Sequence, residues 1–260
     1  MSKVFGLPEY SPEGVKTVTT RDSKYKDMMM DIRIYKIKSG DVKIFSSSTD
    51  EQAALLLKGK VEFAWEGKLF TATRRNVFDD GLYCLHVPAN ITVTVKALED
   101  AEVLLQKTEN SIAFASKIYT PVDCSDVIAG EGLCDNRAIR LVRTAFDYSN
   151  APYSNMVLGE VITLQGNWSS YIPHYHPQPE VYYYQFDKPQ GFGAAFIGDD
   201  VFKIKDGSFS AIPGGKTHPQ VTAPGYRMYV CWMIRHLEGN PWKERIDDED
   251  HTWLIGKKIN

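Results

Sequence analysis

Apolar and polar residues alternate along most of this chain, and helical periodicity is scarce. Residues 31–40, DIRIYKIKSG, place apolar side chains at every second position, the period-two signature of a half-buried strand. The run AALLLKGKVEFAWEGKLFTA predicts a strand, a turn at Gly59, a second strand, a turn at Glu66–Gly67 and a third strand. CLHVPANITVTVKALEDAEVLLQ continues with β-branched residues interrupted at Pro88 and at Glu99–Asp100. The same style returns in NMVLGEVITLQG, EVYYYQF, GFGAAFIG, VFKIKDGSFSAIPGG and QVTAPGYRMYVCWMIRH. Short strands at regular spacing with Gly/Pro turns predict an all-β sandwich or barrel. Helix is expected only as short pieces, at residues 111–117 and in the charged tail after Pro241.

The two halves resemble each other. Each has a strand–turn–strand segment, then an apolar stretch turning at a proline (HVPANITVTV and AIPGGKTHPQVTA), then a further strand. This predicts a duplicated barrel, residues 1–120 and 121–260, joined through residues 119–137.

Composition narrows the classes of partner. A formal net charge of −3 over 260 residues gives no reason to expect nucleic acid or a membrane surface. The first residues, MSKVFGLPEY, lack an apolar signal core, and no stretch approaches the ~18 apolar residues of a membrane span; a cytoplasmic location is expected. Cys84, Cys124, Cys134 and Cys231 form no C-x-x-C pair and are expected as unpaired thiols.

One stretch departs from the bland pattern. HYHPQPEVYYYQF sets His174 and His176 two apart, with Glu180 opening an apolar strand. On a strand, residues i and i+2 face the same side, so both imidazoles can reach one ion. Further on, GSFSAIPGGKTH carries Gly207, Pro213, Gly215 and His218, a turn that can return His218 beside that strand. The alternative is a surface turn that happens to hold histidines. The first half has a single histidine, His86, and Val93 where the counterpart of His218 would stand, so it is expected to carry no metal and to serve packing and assembly. His86 is expected as a core or turn residue.

H-x-H-x-x-x-E followed by G-x(5)-P-x-G-x-x-H resembles the paired metal signature of the cupin superfamily. It departs in an upstream Gly166 two residues early, a longer gap after Glu180, and Thr222 in place of a common asparagine; no ligand is lost. GEVITLQGNWSSYIPHYHPQPEVYYYQFDKPQGFG, RRNVFDDGLYCLHVPANITVTV, GEGLCDNRAIRLV and APGYRMYVCWMI resemble the 5-deoxy-glucuronate isomerases of inositol catabolism, over residues 36–235. Only Pro177–Gln178–Pro179 separate the H-x-H from Glu180, a compactness that resembles the sister 5-keto-4-deoxyuronate isomerases of pectin breakdown.

The resemblance implies a bicupin, two tandem double-stranded β-helix barrels, with one divalent ion held by His174, His176, Glu180 and His218 in the second. Zinc is the first expectation, manganese or iron the alternatives. It implies aldose–ketose isomerisation of a deoxy-uronate, 5-deoxy-glucuronate to 5-dehydro-2-deoxy-gluconate, through an enediolate, in a homo-oligomer. The same four ligands also serve iron-dependent cupin dioxygenases, and a non-catalytic sugar-binding cupin is a further alternative. In EVYYYQF, Tyr182 and Tyr184 share the face of Glu180 and should point into the barrel. Tyr184 is the expected proton carrier, together with Glu180. The substrate carboxylate calls for a cation, with Lys216, Arg227 and Arg235 as candidates.

Overall fold

The alternating segments form two curled antiparallel sheet systems, packed against each other, in a computed structural model that describes residues 3–124 and 126–255. The first is a nine-stranded sheet built from strands between Val15–Thr19 and Lys117–Tyr119. The second faces a seven-stranded sheet with a four-stranded one, Trp168–Ser169, Gln220–Thr222, Phe192–Ile197 and Asp200–Lys205. The strand Phe5–Gly6 lies outside its own half: it pairs with Phe209–Ile212 at the edge of the seven-stranded sheet.

Period-two alternation explains why three apolar cores arise from two barrels. In Glu180–Phe186, Tyr182, Tyr184 and Phe186 enter the interior of the second barrel. Their neighbours Val181 and Tyr183 point the other way, into a core shared with the first barrel rather than into solvent. The facing strand Met228–Arg235 divides likewise, Val230, Trp232 and Ile234 inward and Tyr229, Cys231 and Met233 toward the shared core. From the first barrel, Ile32, Ile34, Ala53 and Leu55 join that core, while Leu56, Val61, Phe63 and Val95 fill its own interior. Each fully buried side chain of this size contributes about 1.5–3 kcal/mol.

Polar groups also cross between the halves. Arg74, fully buried, donates to both carboxylate oxygens of buried Glu160 at 2.7 and 2.8 Å, and the Tyr229 hydroxyl donates to the same carboxylate at 2.8 Å. His86 is a core residue: its Nε2 lies 2.8 Å from Glu51 and its ring stacks on Phe146 at 4.1 Å.

Two expectations are corrected. Gly59 makes no turn; Asp50–Trp65 runs as one strand that bends there, crossing from one part of the sheet to the other. Gly59 has φ +103°, and a Cβ would collide with the Asp100 carbonyl and with Ala101, so only glycine lets the strand bend so close to its neighbour. Residues 111–117 form no helix: the segment is irregular up to the strand Lys117–Tyr119. Within it Phe114 serves packing, stacking on Tyr153 and lying against His86. The Glu66–Gly67 turn forms as expected, with positive φ at both residues, and the tail holds a 3-10 helix, Glu249–Leu254, capped by the Asp248 side chain.

Candidate active site

The second barrel contains a cavity of about 320 Å³, within the ~300–1,000 Å³ of small-molecule sites. His174, His176, Glu180 and Tyr182 line it, with Ser170, Gln220, Arg140 and Arg245 as further polar groups. Val142, Val161, Val230, Trp232, Ile234 and Trp242 supply apolar walls. The tail closes one side: Ile246–Asp247 pairs with His174–Tyr175, and the Gln178 side chain donates to Asn240 O at 2.8 Å.

Ligand atoms of His176, Glu180 and His218 all lie within 4.8 Å of one another, and all three residues are buried. Glu180 Oε2 is 3.3 Å from His176 Nε2 and 3.2 Å from His218 Nε2. Donors bound ~2.0–2.2 Å from a shared ion at right angles stand about 3 Å apart, so the spacing fits. His218 Nε2 is off the line of a hydrogen bond to Glu180 and is left as a buried nitrogen without a partner. His174 lines the same cavity, its ring centroid 4.9 Å from that of His218, but lies outside the tight group of three.

Backbone carbonyls fix the tautomers. Nδ1 of His174 faces Ile172 O at 3.0 Å, Nδ1 of His176 faces Gln178 O at 2.9 Å, and Nδ1 of His218 faces Lys216 O at 2.8 Å. A carbonyl only accepts, so each Nδ1 carries the proton and each Nε2 is left with a lone pair, the arrangement that orients imidazoles toward a metal. Burial drives His174 down to about 3, helped by Arg245 and Arg140, and His218 down to about 4; both are neutral at pH 7. Two or three imidazoles and a carboxylate suit a divalent ion of intermediate softness.

The structure separates the two inward tyrosines. Tyr182 lines the cavity, its hydroxyl 2.9 Å from Ser170 Oγ. Tyr184, expected as the proton carrier, does not line it; its hydroxyl is held 2.9 Å from Ser210 Oγ in the barrel core. Burial raises the pKa of both.

None of the three cations expected to hold a carboxylate lines this cavity. Lys216 is exposed beside Gly198. Arg227 pairs with Asp79 at 3.0 Å and Asp187 at 3.4 Å. Arg235 donates to Thr108 at 2.8 Å and borders a different cavity. Arg140 and Arg245 stand in the cavity instead. Arg140 is buried, with its guanidinium donating to Ala138 O at 2.7 Å and Tyr171 O at 3.1 Å. Burial and the nearby Arg245 lower it to about 10, so it stays charged at neutral pH.

The KduI/IolB family profile matches residues 8–254. The chain belongs to this family. It is 26% identical to the 5-deoxy-glucuronate isomerase of Geobacillus kaustophilus over 97% of this chain and 96% of that protein. It is 27% identical to the enzyme of the same name from Geobacillus thermodenitrificans, over 87% and 86% of the two chains. Among solved structures, an IolB-like protein from Salmonella typhimurium superposes with a TM-score of 0.87 at 18% identity, covering 96% of this chain and 98% of that one. The oxalate decarboxylase of Bacillus subtilis superposes with a TM-score of 0.68 at 11% identity, over 95% and 80%. The fold is thus the all-β bicupin expected from the signature.

Proposed function

We propose that this isomerase converts 5-deoxy-glucuronate to 5-dehydro-2-deoxy-gluconate in the second barrel, with one divalent ion, zinc in the first instance, at His174, His176, Glu180 and His218. The observation that carries the reading is the convergence of three buried donors, two of which line a cavity, in a chain whose family match spans residues 8–254. The isomerase names of its relatives supply the reaction.

A divalent ion bound to these donors supplies Lewis acidity toward a carbonyl oxygen. The chain's own residues do the rest. The apolar walls from Val142, Val161, Trp232 and Ile234 exclude water around the reacting carbons. Tyr182, kept protonated by its burial, holds a proton at its hydroxyl and donates to a substrate oxygen, with Ser170 orienting it. The hydrogen that moves between adjacent carbons needs a base. Of the two carboxylates lining the cavity, Glu180 is committed to the donor group, so Glu244 is the one free to accept that proton.

The short Pro177–Pro179 link between the H-x-H and Glu180 favours a second substrate reading, a 5-keto-4-deoxyuronate from pectin. An NMR time course on both compounds side by side separates them. Ketose signals growing from 5-deoxy-glucuronate, without oxygen uptake, support the proposal. Conversion of the pectin-derived compound alone supports the sister activity, and oxygen consumption matching substrate loss would mean a dioxygenase.

A further inference from the structure

We propose that Arg140 is the carboxylate-binding residue of the cavity, holding the acid end of the sugar acid while its carbonyl end faces His176, Glu180 and His218. This rests on the uronate reading above and assigns a residue to the recognition of the acid.

Three arginines are buried among the described residues: Arg74, Arg140 and Arg143. Arg74 is satisfied by Glu160 at 2.7 Å, and Arg143 by Asp126 at 2.5 Å. Arg140 is the exception. Only neutral backbone oxygens, of Ala138 and Tyr171, receive its hydrogen bonds, and the titratable groups that act on it are Arg245 and the protonated Tyr182, with no described carboxylate among them. Burying a cation without an anion is costly unless a ligand brings the anion. Arg140 meets that condition geometrically. It opens the strand Arg140–Phe146 on the same face as Val142, and both line the cavity that His176 and Glu180 also line.

The two carbonyls also fix the fork. Guanidinium has five N–H donors, and two of its nitrogens are tethered here, which leaves N–H groups for a planar, bidentate partner such as a carboxylate. Arg245 does not compete for the role: it is exposed and already paired with Asp247 at 2.8 Å. It adds positive potential at the rim.

The test is isothermal titration of the metal-loaded enzyme with D-glucuronate and with its uncharged amide, D-glucuronamide. Wild type should prefer the acid by about 10- to 100-fold, the worth of a charge-assisted hydrogen-bonded contact. Arg140→Gln should bind both alike, at the level of the amide, and Arg140→Lys should keep part of the preference. Arg245→Gln should keep most of it. Equal weakening of acid and amide in Arg140→Gln would overturn the proposal, because a structural role affects both. So would an undiminished preference, which would place the acid on the metal or on Arg245. If Arg140→Gln does not fold, wild-type enzyme that binds the amide as tightly as the acid overturns it, and a graded loss in Arg140→Lys supports it. Failure of the uronate reading shows separately, as absent turnover of 5-deoxy-glucuronate with the Arg140-dependent preference intact.

Discussion

Replacing Arg74 with methionine should destabilise the protein by about 3 kcal/mol, the low end of the ~3–5 kcal/mol for stranding one partner of a buried ion pair. The structure supplies the reason and the discount. Arg74 and Glu160 are both fully buried, and the two short bonds at 2.7 and 2.8 Å link the first barrel to the second. Without Arg74, Glu160 retains the Tyr229 hydroxyl at 2.8 Å and gains what Arg143, now 3.6 Å away, can offer by closing in. The remaining charge is therefore partly compensated. At ~2–4 °C per kcal/mol for a chain of this size, the melting temperature should fall by about 6–12 °C. Methionine fills much of the vacated volume, so lost packing adds little. The double variant Arg74→Met/Glu160→Met removes the stranded charge and should recover most of the loss, because apolar replacement of a whole buried pair is often neutral or better. Differential scanning calorimetry on wild type, both singles and the double checks this. A shift below about 2 °C for Arg74→Met, or a double variant no more stable than the single, would refute the reasoning, since the pair would then be contributing nothing across the barrels.

Three further outcomes are expected. Metal-free protein should lose stability as pH falls from about 6.5 toward 4: unfolded histidines take up protons near 6.5, whereas His174 does so only near 3 and His218 near 4, so the unfolded state binds more protons in that window; melting curves at pH 7.5 and 5.0 should show it, and a flat profile contradicts it. Tyr182→Phe should lower kcat by at least tenfold, whereas Tyr184→Phe, losing only its contact with Ser210, should cost about 1 kcal/mol of stability and leave kcat near wild type; steady-state kinetics that reverse this order would return the role to Tyr184. Glu244→Gln should reduce kcat by about 10²–10⁴-fold with metal content unchanged, and a variant with wild-type kcat removes Glu244 as the proton acceptor.

How much of this could be read from the sequence follows from strand parity. His174 and His176 at i and i+2, and Glu180 with Tyr182 on the same face, are local consequences of a two-residue period, and the structure keeps them. Parity also bears on what was misplaced. In Met228–Arg235 the even positions face the cavity barrel; Arg227 and Arg235 are odd, so the alternation itself argues against both as cavity cations. Tyr184 satisfies parity yet lies one step deeper along the strand, beside Ser210, and alternation says nothing about depth. Arg140 and Arg245 sit far from the H-x-H in sequence and reach it only through sheet pairing: Arg140 through the antiparallel match of its strand with Met156–Thr163, and Arg245 through the tail strand beside His174. Such non-local pairing leaves no periodic trace. The continuous strand through Gly59 was hidden for another reason, since a glycine with positive φ reads the same whether it turns the chain or bends it.

The most direct test of the central claim measures bound metal and turnover of 5-deoxy-glucuronate on the same preparations of wild type, His176→Ala and Glu180→Gln. His176→Ala removes one imidazole; Glu180→Gln keeps the shape but removes the charge that offsets a dication. The account predicts that metal content and turnover fall together in both variants, that stripped wild type regains activity when a divalent ion is restored, and that the variants regain less at equal metal. Wild-type metal content and turnover in both variants would contradict it, and the histidines would then be no more than a buried turn.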